Sequence, residues 1–502
     1  MEIKAKKKKA GKELYPYQKE DLEKIFERFD NCPPNYNLLY QLPTGGGKTV
    51  VFSEITRQYL QRTDRKVLVL THRIELCKQT SRMLTEFGVT NKIIDSKVKT
   101  LPDKNEYKAF VAMVETLNNR LNDEQFHLNE VGLVIVDEAH YNSFRKLFKF
   151  FDNCFMLGVT ATPLSSNIKL PMNEIYDELI VGTPISKLIE DGFLAKATTY
   201  SYNVRLGGLQ IGINGDYTVK SSEELYSNAA MQTKLLYAYK KQALGKKTLI
   251  FNAGINTSLQ VCETFTHAGF EIRHLDSHCS KQERREILKW FHNKPDAILT
   301  SVGILTTGFD EPGIEVIILN RATRSLSLYY QMIGRGSRIA KGKQSFSVID
   351  LGNNAARFGL WEKEVDWDKI FRYPERFLAS LISDEEIERN FKYTMPEEIR
   401  EQFANSEVVD FDIYEEHKKV ESEGLRTKVV LDRSIDQHAQ IVLENSDQDF
   451  AKALALIRLL DADIEDRVRR FSYCISKSTR NYRDWLKAEY KRKLRMKVTQ
   501  KF

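Results

Sequence analysis

A glycine-rich segment near the N-terminus has the composition of a phosphate-binding loop. Its members are Thr44, Gly45, Gly46, Gly47, Lys48 and Thr49. An apolar run precedes the segment and apolar residues at helical spacing follow it, so we expect the strand, turn and helix that such a loop requires. The backbone N–H groups of the glycines would then surround a polyphosphate. Lys48 would contact the β- and γ-phosphates, and the hydroxyl of Thr49 would bind Mg²⁺.

Two adjacent carboxylates follow a later apolar run at residues 131–136. At the end of a buried strand, Asp137 can bind Mg²⁺ as a second anchor beside Thr49. Glu138 is placed to orient and deprotonate an attacking water. An acidic pair on the surface is the alternative, but a position directly after a buried strand favours catalysis. The sequence therefore predicts that the chain binds and hydrolyses a nucleoside triphosphate.

A pair of arginines further along the chain could complete such a site. Arg335 and Arg338 are three residues apart, which places them on one face of a helix. Arginine is suited to the charge that develops on a transferred γ-phosphoryl group, and such residues are often supplied by a second lobe. A lone arginine pair would usually be a solvated helix face. The preceding Gln331 and Gly334 favour a role in the site.

Apolar strands alternate with helical segments in two successive series. This pattern predicts an α/β fold with two tandem domains, in which parallel sheets carry helices on both faces, plus a mainly helical C-terminal domain. In such sheets the chemistry lies beyond the carboxyl ends of the strands. We expect a basic flexible tail at 1–12, a first ATP-binding domain at 13–195, a linker or small insertion at 196–228, a second domain at 229–352, and a helical accessory domain with a basic C-terminus at 353–502.

Composition limits the class of protein. The 502 residues are 42% hydrophobic and 29% charged, which is ordinary for a globular protein, and the net charge of +7 is compatible with a polyanionic partner. No apolar stretch approaches the roughly 20 residues of a membrane helix, so we expect no membrane partner. The six cysteines form no C-x-x-C pair, which makes a structural zinc site improbable and fits a reducing, cytoplasmic setting.

The C-terminal segment interleaves basic residues with aromatic ones. The aromatic members are Tyr473, Tyr482, Trp485 and Tyr490. Such a segment can hold phosphates and stack bases, or it can be a solvated helix whose aromatic residues pack on the protein. Both alternatives are open from sequence alone. Protein partners would also bind through this domain.

The order of the motifs from Tyr15 to Arg338 resembles that of superfamily 2 helicases and translocases. The resemblance implies that the two α/β domains are tandem RecA-like domains and that ATP and Mg²⁺ bind between these two lobes. It also implies roles for further residues: adenine recognition by Gln18, nucleotide contacts from Gly308 and Asp310, an arginine finger at Arg338, γ-phosphate and water contacts from Arg335 and Gln331, and nucleic-acid backbone contacts from Thr71, Arg73, Thr116 and Thr300.

Within the superfamily, the amino-acid sequences of residues 306–310 and 327–331 are most similar to those of RadD-type bacterial DNA-repair helicases. That group carries a C-terminal zinc-binding cysteine cluster, and this chain has none. The sequence therefore predicts an ATP-dependent helicase or translocase that favours DNA over RNA and acts in repair or recombination. An RNA helicase, or the motor subunit of a nuclease or defence complex, is the alternative.

Overall fold

The computed structural model describes residues 13–95, 98, 106–122, 130–167, 169–306, 308–391, 393, 395–406, 408–475 and 479–502. The basic tail expected at 1–12 lies outside the described residues. The chain divides into two compact units, of which the first extends to Ser383 and the second is Asp384–Phe502. Each unit is described by itself.

The first unit contains two parallel sheets, and we name the parts built on them the first and second lobes. The first sheet has the strand order β3-β4-β2-β5-β6-β1-β7 among the described residues. Its strands are β1 (Asn37–Gln41), β2 (Lys66–Thr71), β3 (Asn91–Ile94), β4 (Ala109–Met113), β5 (Val131–Asp137), β6 (Phe155–Thr160) and β7 (Glu178–Val181). The helices of this lobe are α1 (Pro16–Asn31), α2 (Lys48–Arg62), α3 (Ile74–Glu86), α4 (Val114–Asn122), α5 (Arg145–Phe148) and α6 (Ile185–Glu190).

The second sheet has the order β10-β11-β9-β12-β13-β8 among the described residues and is also parallel. Its strands are β8 (Lys196–Ser201), β9 (Thr248–Asn252), β10 (Ile272–Leu275), β11 (Ile298–Ser301), β12 (Val316–Asn320) and β13 (Ser345–Asp350). The accompanying helices are α7 (Val219–Tyr226), α8 (Ala229–Gln242), α9 (Ile255–His267), α10 (Lys281–Asn293), α11 (Leu326–Ile333) and α12 (Asn354–Phe358).

Both faces of each sheet are buried, which explains the near-continuous apolar strands. Along β2, Val67 and Val69 belong to one apolar core, whereas Leu68 and Leu70 belong to another. Successive side chains of a strand point to opposite faces, so this alternation means that both faces are covered. The core that contains Val67 also includes Ile317 of β12 and thus continues into the second lobe.

The segment expected to be a linker at 196–228 is instead built into the second lobe. Its first residues form β8, which pairs with β13 along its whole length, from Lys196 opposite Ser345 to Ser201 opposite Asp350. Its last residues form α7. The backbone N–H and C=O groups of an edge strand are satisfied by pairing, and this outweighs the weak apolar pattern that favoured a linker.

The boundary after the second lobe also differs from the expectation. Residues 353–383 belong to the first unit and include α13 (Trp367–Arg372) and α14 (Pro374–Ala379). Trp361 and Trp367 are buried in the core shared by the lobes, and Phe371 is buried in the second core of the first sheet. Burial of these large aromatic side chains holds the segment to the lobes, so the helical accessory unit begins at Asp384.

The second unit is helical, as expected. Its helices are α15 (Asp384–Arg389), α16 (Glu397–Arg400), α17 (Ile413–Ser422), α18 (Lys428–Asn445), α19 (Phe450–Leu459), α20 (Asp461–Tyr473) and α21 (Arg480–Thr499). These helices enclose an apolar core of their own. Within the described residues, no helix has both the length and the apolar character to span a membrane.

A closed ring of polar groups lies inside that core. The Arg467 guanidinium contacts the hydroxyl of Ser434 at 3.2 Å, and this hydroxyl lies 2.8 Å from that of Tyr490. Tyr490 lies 2.9 Å from Nδ1 of His438, whose Nε2 is 2.8 Å from Asp463. Asp463 closes the ring by pairing with Arg467 at 2.8 Å. Buried polar groups need such partners, and the ring thereby ties α18, α20 and α21 together.

Candidate active site

The glycine-rich loop has the predicted geometry. It connects β1 to α2, and Gly45 and Gly47 have positive φ angles of 91° and 87°, which side chains rarely allow. Gly47 precedes α2 without a side-chain cap, so the first N–H groups of this helix are available to an anion. The Lys48 ammonium donates to the carbonyl of Leu42 at 3.3 Å.

Two side chains of α1 donate hydrogen bonds to the backbone of the loop. The hydroxyl of Tyr17 and Nε2 of Gln18 both donate to the carbonyl of Gly46, at 2.8 and 3.0 Å. Oε1 of Gln18 accepts from the backbone N–H of Tyr15 at 3.0 Å. Adenine recognition by Gln18 stays a prediction, because both ends of its amide are engaged within the protein here. The contact that the structure adds is Tyr17, which sequence reasoning did not single out.

The two predicted carboxylates lie where the first sheet ends. Asp137 is the last residue of β5, and Glu138 follows it with a positive φ of 55°, an uncommon conformation for a residue with a side chain. Among the described residues, the Oε2 atom of Glu138 is buried without a hydrogen-bond partner. A free carboxylate oxygen at this position suits a group that accepts a proton from water.

The charges of the cleft act on one another. Burial lowers the pKa of Lys48, and the positive charges of Arg335 and Arg338 lower it further. The carboxylates of Glu138 and Asp137 raise this pKa but do not offset the effect of burial. Burial and the neighbouring Glu138 raise the pKa of Asp137 to about 7. Burial would also raise the pKa of Glu138, but Lys48 and the nearby histidines and arginine outweigh it and hold that pKa below its usual value. The predicted lysine, carboxylates and arginines therefore meet in one cleft.

The two arginines reach the cleft from the second lobe, in the segment that follows α11. The expectation that they share one face of a helix is wrong, because α11 ends before both of them. Arg335 donates to the carbonyls of Phe309 and Thr306 at 2.6 and 2.5 Å. Burial and the charge of Arg338 lower the pKa of Arg335 to about 9. Arg338 pairs with Asp310 at 2.9 Å, and the Asp310 side chain is 58% exposed. In this structure the arginines thus brace the loop that carries the predicted nucleotide contact Asp310.

The lobes touch directly at the loop. A Cβ atom built on Gly334 would lie 2.5 Å from the side chain of Thr44, and one on Gly45 would lie 2.8 Å from the hydroxyl of Ser337. A Cβ atom built on Gly308, which has a φ of 71°, would lie 3.2 Å from the side chain of Leu76 in the first lobe. Glycine is required at these points because backbone and side chain approach so closely.

His140 connects the lobes behind Glu138. Its Nδ1 lies 3.0 Å from the hydroxyl of Thr160, which in turn donates to the carbonyl of Thr162. Its Nε2 lies 3.2 Å from the hydroxyl of Ser327 and 3.5 Å from the Gln331 amide, both on α11 of the second lobe. Burial lowers the pKa of His140. These partners fit a neutral ring with its proton on Nδ1. Ser327 is a contact that the sequence did not indicate.

The predicted nucleic-acid contacts differ in exposure. Arg73 is half-buried, and its guanidinium donates across the lobes to the carbonyl of Gly303 at 3.4 Å. Thr116 is half-buried at the start of α4. Thr71 is fully buried, with its hydroxyl 2.9 Å from the thiol of Cys77. Thr300 is fully buried as well.

The hydroxyl of Thr300 belongs to a row of hydrogen bonds inside the second lobe. Asn252 donates to it at 2.6 Å, and the hydroxyl of Ser258 lies 2.8 Å from it. Asn320 extends the row by donating to Asn252 at 2.7 Å. The Thr300 side chain is therefore occupied within the lobe, and its contact with a nucleic-acid backbone stays a prediction.

Lys343 is a third group that sequence reasoning missed. Its ammonium donates to three carbonyls, those of Pro312, Gly336 and Arg338, at 2.9, 2.7 and 2.8 Å. Burial, with the charge of Arg338, lowers the pKa of Lys343 to about 8. The lysine thereby fixes the backbone of the segment that carries the two arginines. A lysine between glycine and glutamine in a polar stretch gives no signal of such burial.

The basic C-terminal helix α21 is largely neutralised within its own unit. Its ammonium groups pair with carboxylates of α18 and α20: Lys487 with Glu465, Lys491 with Asp461, Lys493 with Asp432 and Lys497 with Asp436. Tyr490 is buried, whereas Tyr482 and Trp485 are exposed and stack with ring centroids 5.7 Å apart. Most of the helix thus fits packing on the protein better than a free phosphate-binding surface.

A phosphate-binding loop and an acidic pair in one parallel-sheet lobe, faced by two arginines from a second lobe, define a two-lobed P-loop ATPase of the RecA-like class. Two family models match the chain. Residues 11–165 match the type III restriction enzyme, res subunit, and residues 229–340 match the helicase conserved C-terminal domain. Together these two domains indicate a superfamily 2 helicase.

Two individual proteins are similar to this chain over about two thirds of its length. The chain is 29% identical over 337 residues to a 51.5 kDa protein of a Lactococcus phage, isolate 7-9, across 66% of this chain and 69% of that protein. It is 30% identical over 329 residues to the protein named as ATP-dependent helicase IRC3 of Saccharomyces cerevisiae. That match covers 62% of this chain but only 47% of the yeast protein.

A solved structure shares the fold. It is a fragment assigned as the HsdR subunit of a type I restriction enzyme from Vibrio vulnificus YJ016, with a TM-score of 0.56 and 22% sequence identity. The match covers 70% of this chain and 66% of the fragment. At this identity the likeness supports the two RecA-like lobes and nothing finer.

Proposed function

We propose that the protein is an ATP-dependent motor that moves along nucleic acid, with DNA favoured over RNA. The observation that carries the proposal is the meeting of Lys48, Asp137 and Glu138 from the first lobe with Arg335 and Arg338 from the second. A site divided between two lobes makes ATP hydrolysis depend on how the lobes are arranged. Each cycle of closure and opening can therefore be converted into movement.

The residues present suit ATP and Mg²⁺. The Thr49 hydroxyl and the Asp137 carboxylate are oxygen ligands, which Mg²⁺ prefers. When bound, Mg²⁺ would neutralise charge on the β- and γ-phosphates. Lys48 and the N–H groups at the start of α2 would bind those phosphates, and Glu138 would take the proton of the attacking water. Release of Arg335 and Arg338 from the loop at 306–310 would bring them to the γ-phosphate.

Nucleic acid as the track is supported by the position of one predicted contact, Arg73. Arg73 lies where the lobes meet, since its guanidinium reaches Gly303 of the second lobe. A strand bound along this edge would touch both lobes and would feel their relative movement. The contacts would be to the phosphate backbone, so binding should show little sequence preference and should weaken steeply with salt. Action in DNA repair, as in the RadD-type group, is the finer part of the proposal.

A second candidate function is the motor of a restriction or defence complex. The match of residues 11–165 to the type III restriction res subunit favours it. The chemistry at the ATP site would be the same in both cases. The difference lies in whether the chain acts alone or needs partner chains, which would bind through residues 384–502.

Strand displacement tests the proposal. The full chain with ATP and Mg²⁺ is added to forked DNA and forked RNA duplexes that carry a fluorescent strand, at low and moderate salt. Release of the DNA strand, absent in the Lys48→Ala variant, would support a DNA helicase. Release of the RNA strand alone would move the function to RNA remodelling. Turnover of ATP with no strand release would favour a translocating subunit, and a displacement assay of a DNA-bound roadblock would then detect movement.

A further inference from the structure

Three aromatic rings lie in contact beside the catalytic glutamate. The Tyr141 ring has its centroid 4.3 Å from that of His72 and 4.4 Å from that of His140, with interplanar angles of 38° and 37°. We call His72, Tyr141 and His140 the three-ring cluster. Aromatic rings at such separations attract one another beyond simple burial of area. Of the three rings, His140 also contacts the second lobe.

The His140 end of the cluster belongs to the ATP site. Nδ1 of His140 lies 3.5 Å from the free Oε2 of Glu138. Its other nitrogen reaches Ser327 and Gln331 on α11. The side chain of Gln331 also acts on the pKa of Tyr141, so Gln331 lies near two of the three rings.

The His72 end belongs to the predicted nucleic-acid edge. His72 stands between Thr71 and Arg73 at the end of β2, and Arg73 contacts the second lobe at Gly303. A shift of this segment on binding a strand would be transmitted to the Tyr141 ring by direct contact. Packed side chains with few alternative positions transmit such shifts well.

His72 takes part in the cluster as a ring rather than as a hydrogen-bonding group. Both of its ring nitrogens are buried and have no hydrogen-bond partner among the residues that the structure describes. Burial lowers the pKa of His72 to about 4, so the ring is neutral near pH 7. Buried polar atoms without partners are rare and need an explanation. Packing against the Tyr141 ring holds His72 in this position, although it satisfies neither nitrogen.

We propose that Tyr141 is a positioning residue that couples nucleic-acid binding at the His72–Arg73 segment to ATP hydrolysis at Glu138, through the three-ring cluster and Gln331. The inference rests on the proposed function and names the path by which a bound strand stimulates turnover. Tyr141 itself touches neither the phosphates nor the strand in this account. Its removal should therefore reduce the stimulation of the ATPase and not only its rate.

The test compares ATPase rates of the full chain with saturating single-stranded DNA and without DNA. Tyr141→Leu should reduce the ratio of the two rates by about tenfold, the usual size of such coupling. Tyr141→Phe and His72→Phe keep the rings in contact and should retain most of the ratio. Tyr36→Leu is the matched control, because Tyr36 is a half-buried tyrosine just before the amino end of β1, remote from the cluster.

The outcomes separate the two proposals. If no nucleic acid stimulates the unaltered chain, the proposed function fails. If stimulation is present but Tyr141→Leu keeps the same ratio, or Tyr141→Phe loses as much as Tyr141→Leu, the three-ring cluster is not the path. Thermal unfolding checks that Tyr141→Leu is folded. If it is not, His72→Leu with rescue by His72→Phe gives the same decision.

Discussion

The Cα atom of Gly334 lies against the side chain of Thr44 with no room for a methyl group, since a Cβ atom there would be 2.5 Å from the Thr44 side chain. One residue belongs to the segment that carries the arginines, and the other opens the phosphate-binding loop. The lobes therefore meet at the atoms that would surround the γ-phosphate, and not only at their edges. The proposed ATP site requires the two lobes to lie this close together at Gly334 and Thr44.

Gly334→Ala should lower the ATPase rate by about a hundredfold, because a misplacement of about 1 Å in a catalytic arrangement costs that much. Gly334 has an ordinary helical conformation, with φ of −59°, so the added methyl should strain the lobe contact and not the backbone. Phosphate release measures the rate.

Gly208→Ala is the matched control for this substitution. A Cβ atom on Gly208 would meet no heavy atom within 4 Å. Its ATPase rate should stay within about twofold of the unaltered chain, as for other surface changes. Equal rates for the two variants would show that the lobes need not approach as closely as this during turnover.

Glu138→Gln should abolish turnover while ATP binding is retained. The amide cannot accept the proton of the attacking water, and loss of a general base costs roughly 10²- to 10⁴-fold. A fluorescent ATP analogue measures binding, and phosphate release measures turnover. Turnover at the original rate would contradict the role given to Glu138.

Arg338→Ala should reduce kcat by about 10³-fold or more, because an arginine that stabilises the transferred phosphoryl group contributes on that scale. Lys341→Ala, which removes an exposed cation three residues away, is the control and should change kcat little. A loss in Arg338→Ala no larger than that in Lys341→Ala would contradict the role given to Arg338.

Acid should destabilise the C-terminal unit through His438. Burial and the charge of Arg467 lower the pKa of His438 in the folded chain to about 4, despite the hydrogen bond to Asp463. In the unfolded chain the pKa is about 6.5. The unfolded state therefore binds the extra proton between these values, and the free energy of unfolding should fall as pH drops from 6.5 towards 4, by up to about 3 kcal/mol.

Urea unfolding of the full chain between pH 7 and pH 4.5 measures this slope. His438→Gln lacks the titrating imidazole, so its free energy of unfolding should depend less steeply on pH. The variant should also be less stable at pH 7, because the closed ring of hydrogen-bonded polar groups is interrupted. His267→Gln, at an exposed histidine, should keep the slope of the unaltered chain. An unchanged slope in His438→Gln would mean that His438 does not govern the acid response.

The fold class was predictable because its signals are local. Residues 131–136 and 66–71 are apolar runs bounded by polar residues, and the structure has β5 and β2 there. The short edge strands β3, β7 and β8 give a weaker signal in the sequence, because edge strands carry fewer buried residues. Their place in the sheets is decided by pairing with distant partners, such as Lys196 with Ser345.

The site was predictable where chemistry demands a residue type at a fixed spacing, as for Lys48 and Thr49 or Asp137 and Glu138. Contacts between distant segments gave no such signal. Tyr17 meets Gly46, His140 meets Ser327 across 187 positions, and Lys343 is enclosed by carbonyls of its own lobe. Each depends on tertiary packing, which a single sequence does not reveal.

The central claim is that ATP hydrolysis in the cleft is driven by a bound nucleic-acid strand. The most direct measurement is the steady-state ATPase rate of the full chain without nucleic acid and with single-stranded DNA, duplex DNA, forked DNA and RNA, at low and moderate salt. The account predicts strong stimulation by DNA, largest with single strands or forks and weaker at higher salt. The same rate under all five conditions would contradict it.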